Sequence, residues 1–277
     1  MKNNGAQSAD DMPTDYSRAA TAMVQRLAEV SEPLALAMAG LRAFMESFEK
    51  TVENIKFALP EGAIETLRKA AEAARPLAVI QTLGEAQYVC WGYLDSDFID
   101  LIEASENTNK ALLEYHESSK FVCYKATIKE CEELLTDRHA KRLFGQAIYS
   151  YDNKQYDIAT IGLVAVIDWL LTFVSGDVGT KITKRAEAIL SKIEGDDEIS
   201  SAEYSFVALI WTYRDTMESL DAFSHFSGKE PRGLNRHWIA HGRSQRRKTR
   251  LDCIKLTNFI YATMLINTLN ETQGNGL

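Results

Sequence analysis

The sequence predicts an all-α protein, and three observations lead to that expectation. Only five Pro and fifteen Gly occur in 277 residues, so few positions interrupt a helix. Apolar residues recur at three- and four-residue spacing along most of the chain. No stretch of sustained apolar and polar alternation flanks an Asn-Gly turn, which is the pattern typical of a β-hairpin.

Composition limits the class of protein. Apolar residues make up 45% of the chain and charged residues 25%, which is ordinary for a globular protein. The formal net charge of −8 argues against loose adsorption to nucleic acid over the whole surface. The length allows one large domain or two modest ones.

Composition along the chain divides it into three predicted regions. Residues 1–16 are polar and predict a flexible tail. Residues 17–136 predict a helical N-terminal domain, and residues 137–277 predict a C-terminal bundle of four to five helices. The boundary lies near residue 137, where a heavily charged helical pattern gives way to a more apolar one.

The first half contains three apolar helical runs before its charged part. We expect the first over 31–60, with Ser31 as its N-cap, and the second over 61–75, ended by Pro76. A third run reaches Trp91. Residues 97–136 stay helical, with a break expected near Ser118 and Ser119.

The second half contains one helix that is apolar on all sides. The predicted elements in order are a helix over 137–151, a turn over 152–155, helices over 156–174, 181–193 and 204–226, and a last helix over 248–269. The helix over 156–174 belongs in the centre of a bundle because it is almost wholly apolar. It is short for a membrane span and contains Asp168.

A short segment over 234–242 carries the residues best suited to chemistry. If it is helical, each residue advances about 100° around the axis, so the basic side chains share one face and the apolar residues take the other: Arg236, His237 and His241 against Trp238, Ile239 and Gly242. A guanidinium binds phosphate oxygens with two parallel hydrogen bonds, and imidazoles exchange protons near neutral pH. One face can therefore pack while the other holds a phosphate.

The same segment lies within the most basic stretch of the chain. From Lys229 to Arg250, eight Lys and Arg side chains stand against one acid, Glu230. Such a stretch is often a solvated helix end, but its position at the motif favours nucleic-acid binding. The residues expected to contact RNA are Lys229, Arg232, Arg243, Arg246, Arg247 and Lys248.

Arg236, followed after four residues by His241, with the polar His237 directly after the arginine, resembles the signature of the HEPN superfamily. Catalytic members of that superfamily are metal-independent ribonucleases. The run Asn-Arg-His-Trp-Ile-Ala-His-Gly-Arg-Ser over 235–244 is similar to a bacterial branch of toxins and anti-phage effectors. Residues 147–168 also resemble the region that precedes the motif there, and the resemblance covers roughly 137–271.

The resemblance implies an endoribonuclease that uses the 2′-hydroxyl of RNA as its nucleophile and leaves a 2′,3′-cyclic phosphate and a 5′-hydroxyl. Arg236, His241 and His237 would be catalytic, supported by Asn235 and Asp168, without a metal or cofactor. Two motif helices meet across a twofold axis in the family, so a homodimer through the motif helix is expected. An inhibitory or activating protein partner is a further expectation.

Asp168 interrupts the apolar helix over 156–174 and needs a partner if it is buried. Our hypothesis is that it reaches Arg236 or a motif histidine and orients it. The alternative is a partner elsewhere in the core, or an exposed helix end.

Other candidate sites are weaker. His237 and His241 have the i, i+4 spacing of a zinc pair, but Trp238 replaces the catalytic glutamate of that motif and no further ligand is near. Trp238 is expected to pack, and His225 to pack or cap a helix end. We expect His116 and His139 on the surface.

The four cysteines, Cys90, Cys123, Cys131 and Cys253, show no metal-binding spacing, so we expect reduced core thiols in the cytosol. No signal sequence or lipidation motif is evident, which favours a cytoplasmic protein without a membrane partner. Two other functions remain open. One is a catalytically inactive HEPN module that binds RNA or nucleotide or acts as a scaffold. The other is a helical interaction protein whose basic surface meets an acidic partner.

Overall fold

The computed structural model describes residues 75–91, 94–175, 201–222 and 225–274. The predicted tail over 1–16, the helices predicted before residue 75 and the helix predicted over 181–193 lie outside the described residues. Within the described part, 73% of residues are helical and none forms a strand, so the all-α prediction is confirmed.

Nine helices lie in the part of the chain that the structure describes. They are α1 (75–85), α2 (Ser96–Glu103), α3 (Thr108–Ser118), α4 (Val122–Leu134), α5 (Arg138–Asp152), α6 (Tyr156–Ser175), α7 (Ser201–Asp221), α8 (Arg236–Ala240) and α9 (Arg250–Gly274).

The charged region over 97–136 forms parts of three helices. Asn107 begins α3 as its N-cap, where its side chain accepts a hydrogen bond from the backbone N–H of Lys110 at 3.1 Å. The chain turns again after Ser118, where Lys120 and Phe121 take positive φ values of 53° and 59°. Upstream, residues 75–85 are helical, and the helix end predicted at Pro76 stays a prediction because the residues before 75 lie outside the described part.

α6 is the helix around which the C-terminal bundle packs. It contacts α5, α8 and α9, and its buried residues include Leu163, Ile167 and Leu171. The rings of Tyr213 on α7 and Phe259 on α9 stack at 4.5 Å between centroids and complete this core. A central packed position for the apolar helix was the sequence expectation, and these contacts supply it.

One side of α6 nevertheless remains uncovered. Ile158, Ile161 and Phe173 are exposed, so an apolar sequence on all sides did not mean burial on all sides. By length and composition the segment Tyr156–Val174 could cross a membrane, and 44% of it is buried inside the protein. Its packing against three helices is that of a core helix in a helical bundle.

Residues before 137 pack directly on those after it. A second cluster of apolar side chains joins α1, α2 and α3 to Leu251 and Ile254 of α9. Ile128 and Tyr151 contact both this cluster and the core around α6. Lys255 reaches from α9 to Asn109, with Nζ 2.6 Å from Oδ1. The described part of the first region therefore shares apolar contacts with the second. The domain boundary at residue 136 stays a prediction.

Two side chains lie in places that the sequence did not suggest. His116 is buried rather than exposed, and its Nε2 shares a hydrogen bond with the Tyr88 hydroxyl at 3.1 Å. Burial lowers the pKa of His116 to about 4, so the ring is neutral near pH 7. Cys123 is exposed, whereas Cys90, Cys131 and Cys253 are buried, and all four are free thiols.

Candidate functional site

The motif helix α8 is only five residues long. Asn235 caps its N-terminus, accepting a hydrogen bond from the Trp238 backbone N–H at 3.3 Å. The Asn235 amide also donates to the carbonyl of Ala222 at 2.7 Å, which ties the start of α8 to the end of α7. His241 is the C-cap, and Gly242 follows with φ of 63°. The segment is therefore a single helical turn with His241 at its end.

The division of the motif into two faces holds in this shorter helix. Trp238 and Ile239 are buried in the protein interior. Arg236 and His237 are partly exposed, and His241 is exposed. The basic side chains therefore lie where a solute can reach them.

A residue of the first half of the chain holds the start of the motif in place. The buried side chain of Gln87 accepts a hydrogen bond from the Leu234 backbone N–H and donates to the Leu234 carbonyl at 2.8 Å. Gly233 precedes Leu234 with φ of 83°, and a Cβ there would collide with the Gln87 amide oxygen. Glycine is thus required at 233 for both reasons. Sequence reasoning missed Gln87 because the two positions are 147 residues apart.

Asp221 contacts two side chains of the motif, and the sequence analysis did not single it out. Its Oδ1 accepts a hydrogen bond from Arg236 Nε at 2.8 Å and lies 3.3 Å from His237 Nε2. The Asp221 side chain is only 8% exposed. One carboxylate oxygen thus fixes two adjacent basic side chains. A signal was present: Asp221 lies four residues after the buried Met217, where the apolar face of α7 would continue.

Asp168 also reaches Arg236, by a longer contact. Its Oδ1 lies 3.4 Å from Arg236 Nη1, and its side chain is about half exposed, so the carboxylate is not buried. The structure therefore brings together two residues that the sequence linked only as a hypothesis. Whether Asp168 orients Arg236 in a reaction stays a prediction.

Electrostatics keep His237 largely neutral. Partial burial and the positive charge of Arg236 lower the pKa of His237, and His241 adds to the same effect. The Asp221 carboxylate opposes that shift without reversing it. A neutral His237 whose Nε2–H donates to Asp221 presents Nδ1 as a proton acceptor. His241 lies one helical turn after His237, and its backbone N–H donates to the His237 carbonyl at 3.1 Å.

The aromatic ring of Phe226 lies against His241. The two rings pack in a T-shaped arrangement, with 5.3 Å between centroids and 71° between the planes. Phe226 in turn contacts the buried Trp238 at 5.5 Å, and the Arg243 guanidinium carbon lies 4.9 Å from the Phe226 ring centre. Trp238 packs as the sequence predicted. Phe226 was placed in the helix predicted over 204–226, but α7 ends at Asp221, so Phe226 lies in the loop that leads to the motif.

The basic stretch divides into residues at the surface and residues that the fold uses. Lys229, Arg232, Arg243 and Arg247 are exposed. The side chain of Lys248, by contrast, is only 3% exposed, and its Nζ lies 3.6 Å from Glu230 Oε1. The structure therefore does not bring Lys248 to an RNA-binding surface.

Arg246 forms an ion pair with the buried carboxylate of Asp252 while 37% of its own side chain stays exposed. Its Nη1 and Nη2 donate to the two carboxylate oxygens of Asp252 at 3.0 and 3.1 Å. Two parallel hydrogen bonds hold the guanidinium in one orientation. Arg246 therefore helps to fix the loop to the start of α9. Of the six predicted RNA contacts, Lys248 is therefore buried and Arg246 is paired but 37% exposed, and RNA binding by the six residues stays a prediction.

Metal binding has no support among the described side chains: no group of three or more His, Cys, Asp or Glu there is arranged to hold an ion. His237 instead directs Nε2 at Asp221.

Comparison with family models, with curated proteins and with solved structures gives no match. The similarity to the HEPN superfamily therefore stays a prediction from the motif residues.

Proposed function

We propose that this protein is a metal-independent endoribonuclease of the HEPN type, with Arg236, His237 and His241 as its catalytic residues. The observation that supports the proposal is that Asp221 holds Arg236 and His237 through one oxygen at a partly exposed place, one helical turn before His241. A cation for a phosphate and two imidazoles for proton transfer are the groups that RNA cleavage by an internal nucleophile needs.

The proposed reaction moves two protons and exchanges one bond. One imidazole removes the proton of the 2′-hydroxyl, whose oxygen forms a bond to phosphorus as the bond from phosphorus to the 5′-oxygen breaks. A second acid gives a proton to the departing 5′-oxygen. His241 and His237 fill these roles between them, and Arg236 stabilises the charge that develops on the phosphoryl oxygens. The products are a 2′,3′-cyclic phosphate and a 5′-hydroxyl.

The biological setting of the proposal rests on the resemblance alone. It comprises a cytoplasmic toxin or phage-defence effector, a homodimer through the motif helix, and control by a protein partner. A twofold interface would place two copies of α8 around one substrate. Each copy of α8 would then contribute its Arg236 guanidinium to the same substrate.

A second function is favoured by the pairing of Arg236 with two carboxylates. A guanidinium engaged by Asp221 and Asp168 at Nε and Nη1 also fits a structural ion pair. In that case the protein would be a catalytically inactive module that binds RNA or nucleotide, or serves as a scaffold. A phosphate would have to displace the longer and more exposed contact, the one to Asp168.

The test is cleavage of total RNA by the purified full-length protein in the presence of EDTA. We expect cleavage without metal, and a loss of about 100-fold or more in Arg236→Ala and His241→Ala, the scale seen when one preorganised donor is removed from a transition state. Arg214→Ala is the matched control, since Arg214 is an exposed arginine of α7 paired with Glu218.

Each outcome selects one function. RNA binding without cleavage by the wild type would select the inactive module. Cleavage that persists in Arg236→Ala, or that falls equally in Arg214→Ala, would contradict the assignment of the catalytic residues. Cyclic phosphate ends on the products would identify the 2′-hydroxyl as the nucleophile.

A further inference from the structure

Phe226 is an exposed aromatic side chain that contacts Arg243 and His241. It keeps 37% of its surface exposed. The Arg243 guanidinium lies over its ring at 4.9 Å, and the His241 ring approaches at 5.3 Å. Leaving an aromatic ring in water gains nothing for folding, so its position beside two basic groups calls for an explanation.

The setting of Phe226 differs from that of the other exposed aromatic residues described. Phe173 stacks on Trp169 along α6, with ring planes inclined by 12°. Tyr149 is more exposed than Phe226 and lies on α5, which is separate from the motif helix in the chain and packs mainly on α6. Only at Phe226, among these three, do the described contacts join a ring to an arginine.

Phe226 is also held in position. The buried Trp238 contacts its ring at 5.5 Å with the planes inclined by 73°. The chain around it turns tightly, because the Gly228 backbone N–H donates to the His225 carbonyl at 2.8 Å. A ring fixed by a buried neighbour gives a flat surface that loses little conformational entropy when a ligand stacks on it.

We propose that Phe226 and Arg243 form a binding subsite for an unpaired base of single-stranded RNA, next to the phosphate that Arg236 and His241 would hold. Unpaired bases bind proteins by stacking on aromatic rings and on planar guanidinium groups. The exposed Arg232 and Lys229 lie in the same loop segment and supply positive charge for the neighbouring phosphates. The identity of the ligand as RNA rests on the proposed function.

A binding experiment separates this subsite from the cleavage reaction. The probes are a single-stranded 2′-O-methyl oligonucleotide, which has no 2′-hydroxyl to attack, and an abasic strand with the same number of phosphates. Fluorescence anisotropy measures the Kd of each strand for the wild type, Phe226→Leu, Phe226→Trp and Arg243→Lys. Tyr149→Leu is the control for removal of an exposed aromatic ring.

We expect Phe226→Leu to weaken binding of the base-bearing strand by about tenfold or more, the scale of one lost stacking contact. Binding of the abasic strand should not change, and Phe226→Trp should bind as the wild type does. Arg243→Lys keeps the charge and loses the plane, so it should weaken only the base-bearing strand. Thermal unfolding of each variant checks that the fold is retained, and the exposed Arg243 tests the subsite even if Phe226→Leu unfolds.

Three results would overturn the subsite: equal binding of both strands by the wild type, no binding of the base-bearing strand, or wild-type affinity in both Phe226→Leu and Arg243→Lys. RNA cleavage assayed in parallel separates the two proposals. A protein that binds bases through Phe226 but cuts no RNA retains the subsite and loses the nuclease. A protein that cuts RNA with the same KM in Phe226→Leu retains the nuclease and loses the subsite.

Discussion

Two clusters of acidic and basic side chains lie in the same basic stretch, and they differ in what their carboxylates hold. In the first, Asp221 contacts Arg236 and His237 at the motif through a single oxygen. In the second, Asp252 binds Arg246 with both of its oxygens. Exposure does not separate the two arginines, since the Arg236 side chain is 16% and the Arg246 side chain 37% exposed. The clusters differ because the carboxylates of the second also accept hydrogen bonds from backbone N–H groups of the loop.

The second cluster organises the loop between α8 and α9. Glu230 accepts hydrogen bonds from the backbone N–H groups of Gln245 and Arg246 at 2.8 and 3.2 Å, and also from the Ser244 hydroxyl. Asp252 accepts from the Thr249 backbone N–H at 2.8 Å while its own N–H donates to the Thr249 hydroxyl, which caps the start of α9. These bonds give the loop a defined path back into the bundle.

The pKa values also differ between the two clusters. Burial by itself would raise the pKa of Asp252 and of Glu230, but hydrogen bonds and nearby cations outweigh it and lower both values. Both carboxylates are therefore charged near pH 7 and hold their partners firmly. At the motif, burial and Arg236 instead lower the pKa of His237, which favours a neutral imidazole that can accept a proton.

The comparison predicts its largest effect for Asp252→Ala, which we expect to destabilise the protein by about 2–4 kcal/mol. The change breaks a largely buried ion pair and removes a helix cap, and the partial exposure of Arg246 keeps the loss below that of a fully buried pair. Urea unfolding at pH 7 followed by circular dichroism measures the difference. Arg247→Ala, at an exposed position of the same loop, should change stability by less than about 0.5 kcal/mol.

Acid should reduce the difference in the free energy of unfolding between the wild type and Asp252→Ala. The folded state lowers the pKa of Asp252, so its stabilisation is present above the pKa of the unfolded chain, about 4, and is lost as the pH falls through the lower folded value. The gap between the wild type and Asp252→Ala should therefore narrow between pH 7 and pH 3. A gap that stays constant would show that packing, and not charge, makes Asp252 important.

The next effect is expected for Asp221→Asn, on activity rather than on the fold. Loss of a charge-assisted hydrogen bond to Arg236 should cost about 1.5–3 kcal/mol in the transition state, or about 10- to 100-fold in kcat/KM. Because the Asp221 carboxylate raises the pKa of His237, its removal should lower that pKa further. An NMR titration of the histidines measures the shift independently of cleavage.

Glu218→Gln is the matched control for that variant. It removes an exposed carboxylate one turn earlier on the same helix, where Glu218 pairs with Arg214. We expect no change in cleavage and none in the pKa of His237. If Asp221→Asn cleaves RNA as fast as the wild type while His237 titrates as before, then Asp221 does not position the site, and the two clusters are both structural.

The sequence predicted α5 and α6 well because their signals are local, whereas the helix predicted over 204–226 ends at Asp221. The turn over 152–155 and the apolar run over 156–174 depend on neighbouring residues alone, and the structure has α5, a turn and α6 at those places. The two faces of the motif were also predictable. Two basic residues, Arg236 and His237, are followed by two apolar ones, Trp238 and Ile239, and helical geometry places the two pairs on different sides.

The missing parts of the site depend on contacts between residues far apart in the chain. Gln87 and Leu234 meet only after the first and last parts of the described chain have packed together. Nothing local distinguishes Lys248, which is buried, from Arg247, which is exposed. A run of like charges predicts a basic region, but which of its members face solvent is decided by the acids that the fold brings to it, here Glu230 and Asp252.

The smallest effect is expected for Asp168→Asn. An ion pair of 3.4 Å with a half-exposed carboxylate contributes about 0–1 kcal/mol, so kcat should fall by no more than about fivefold, with stability unchanged. Steady-state cleavage kinetics of this variant beside Asp221→Asn measure the difference between the two carboxylates, and Asp152→Asn, at the exposed end of α5, controls for loss of one surface charge. Unchanged kcat and unchanged stability would show that Asp168 does not orient Arg236. A lower KM would show instead that Asp168 competes with the substrate phosphate for the same guanidinium, because removing a competing negative charge strengthens phosphate binding without changing the chemical step.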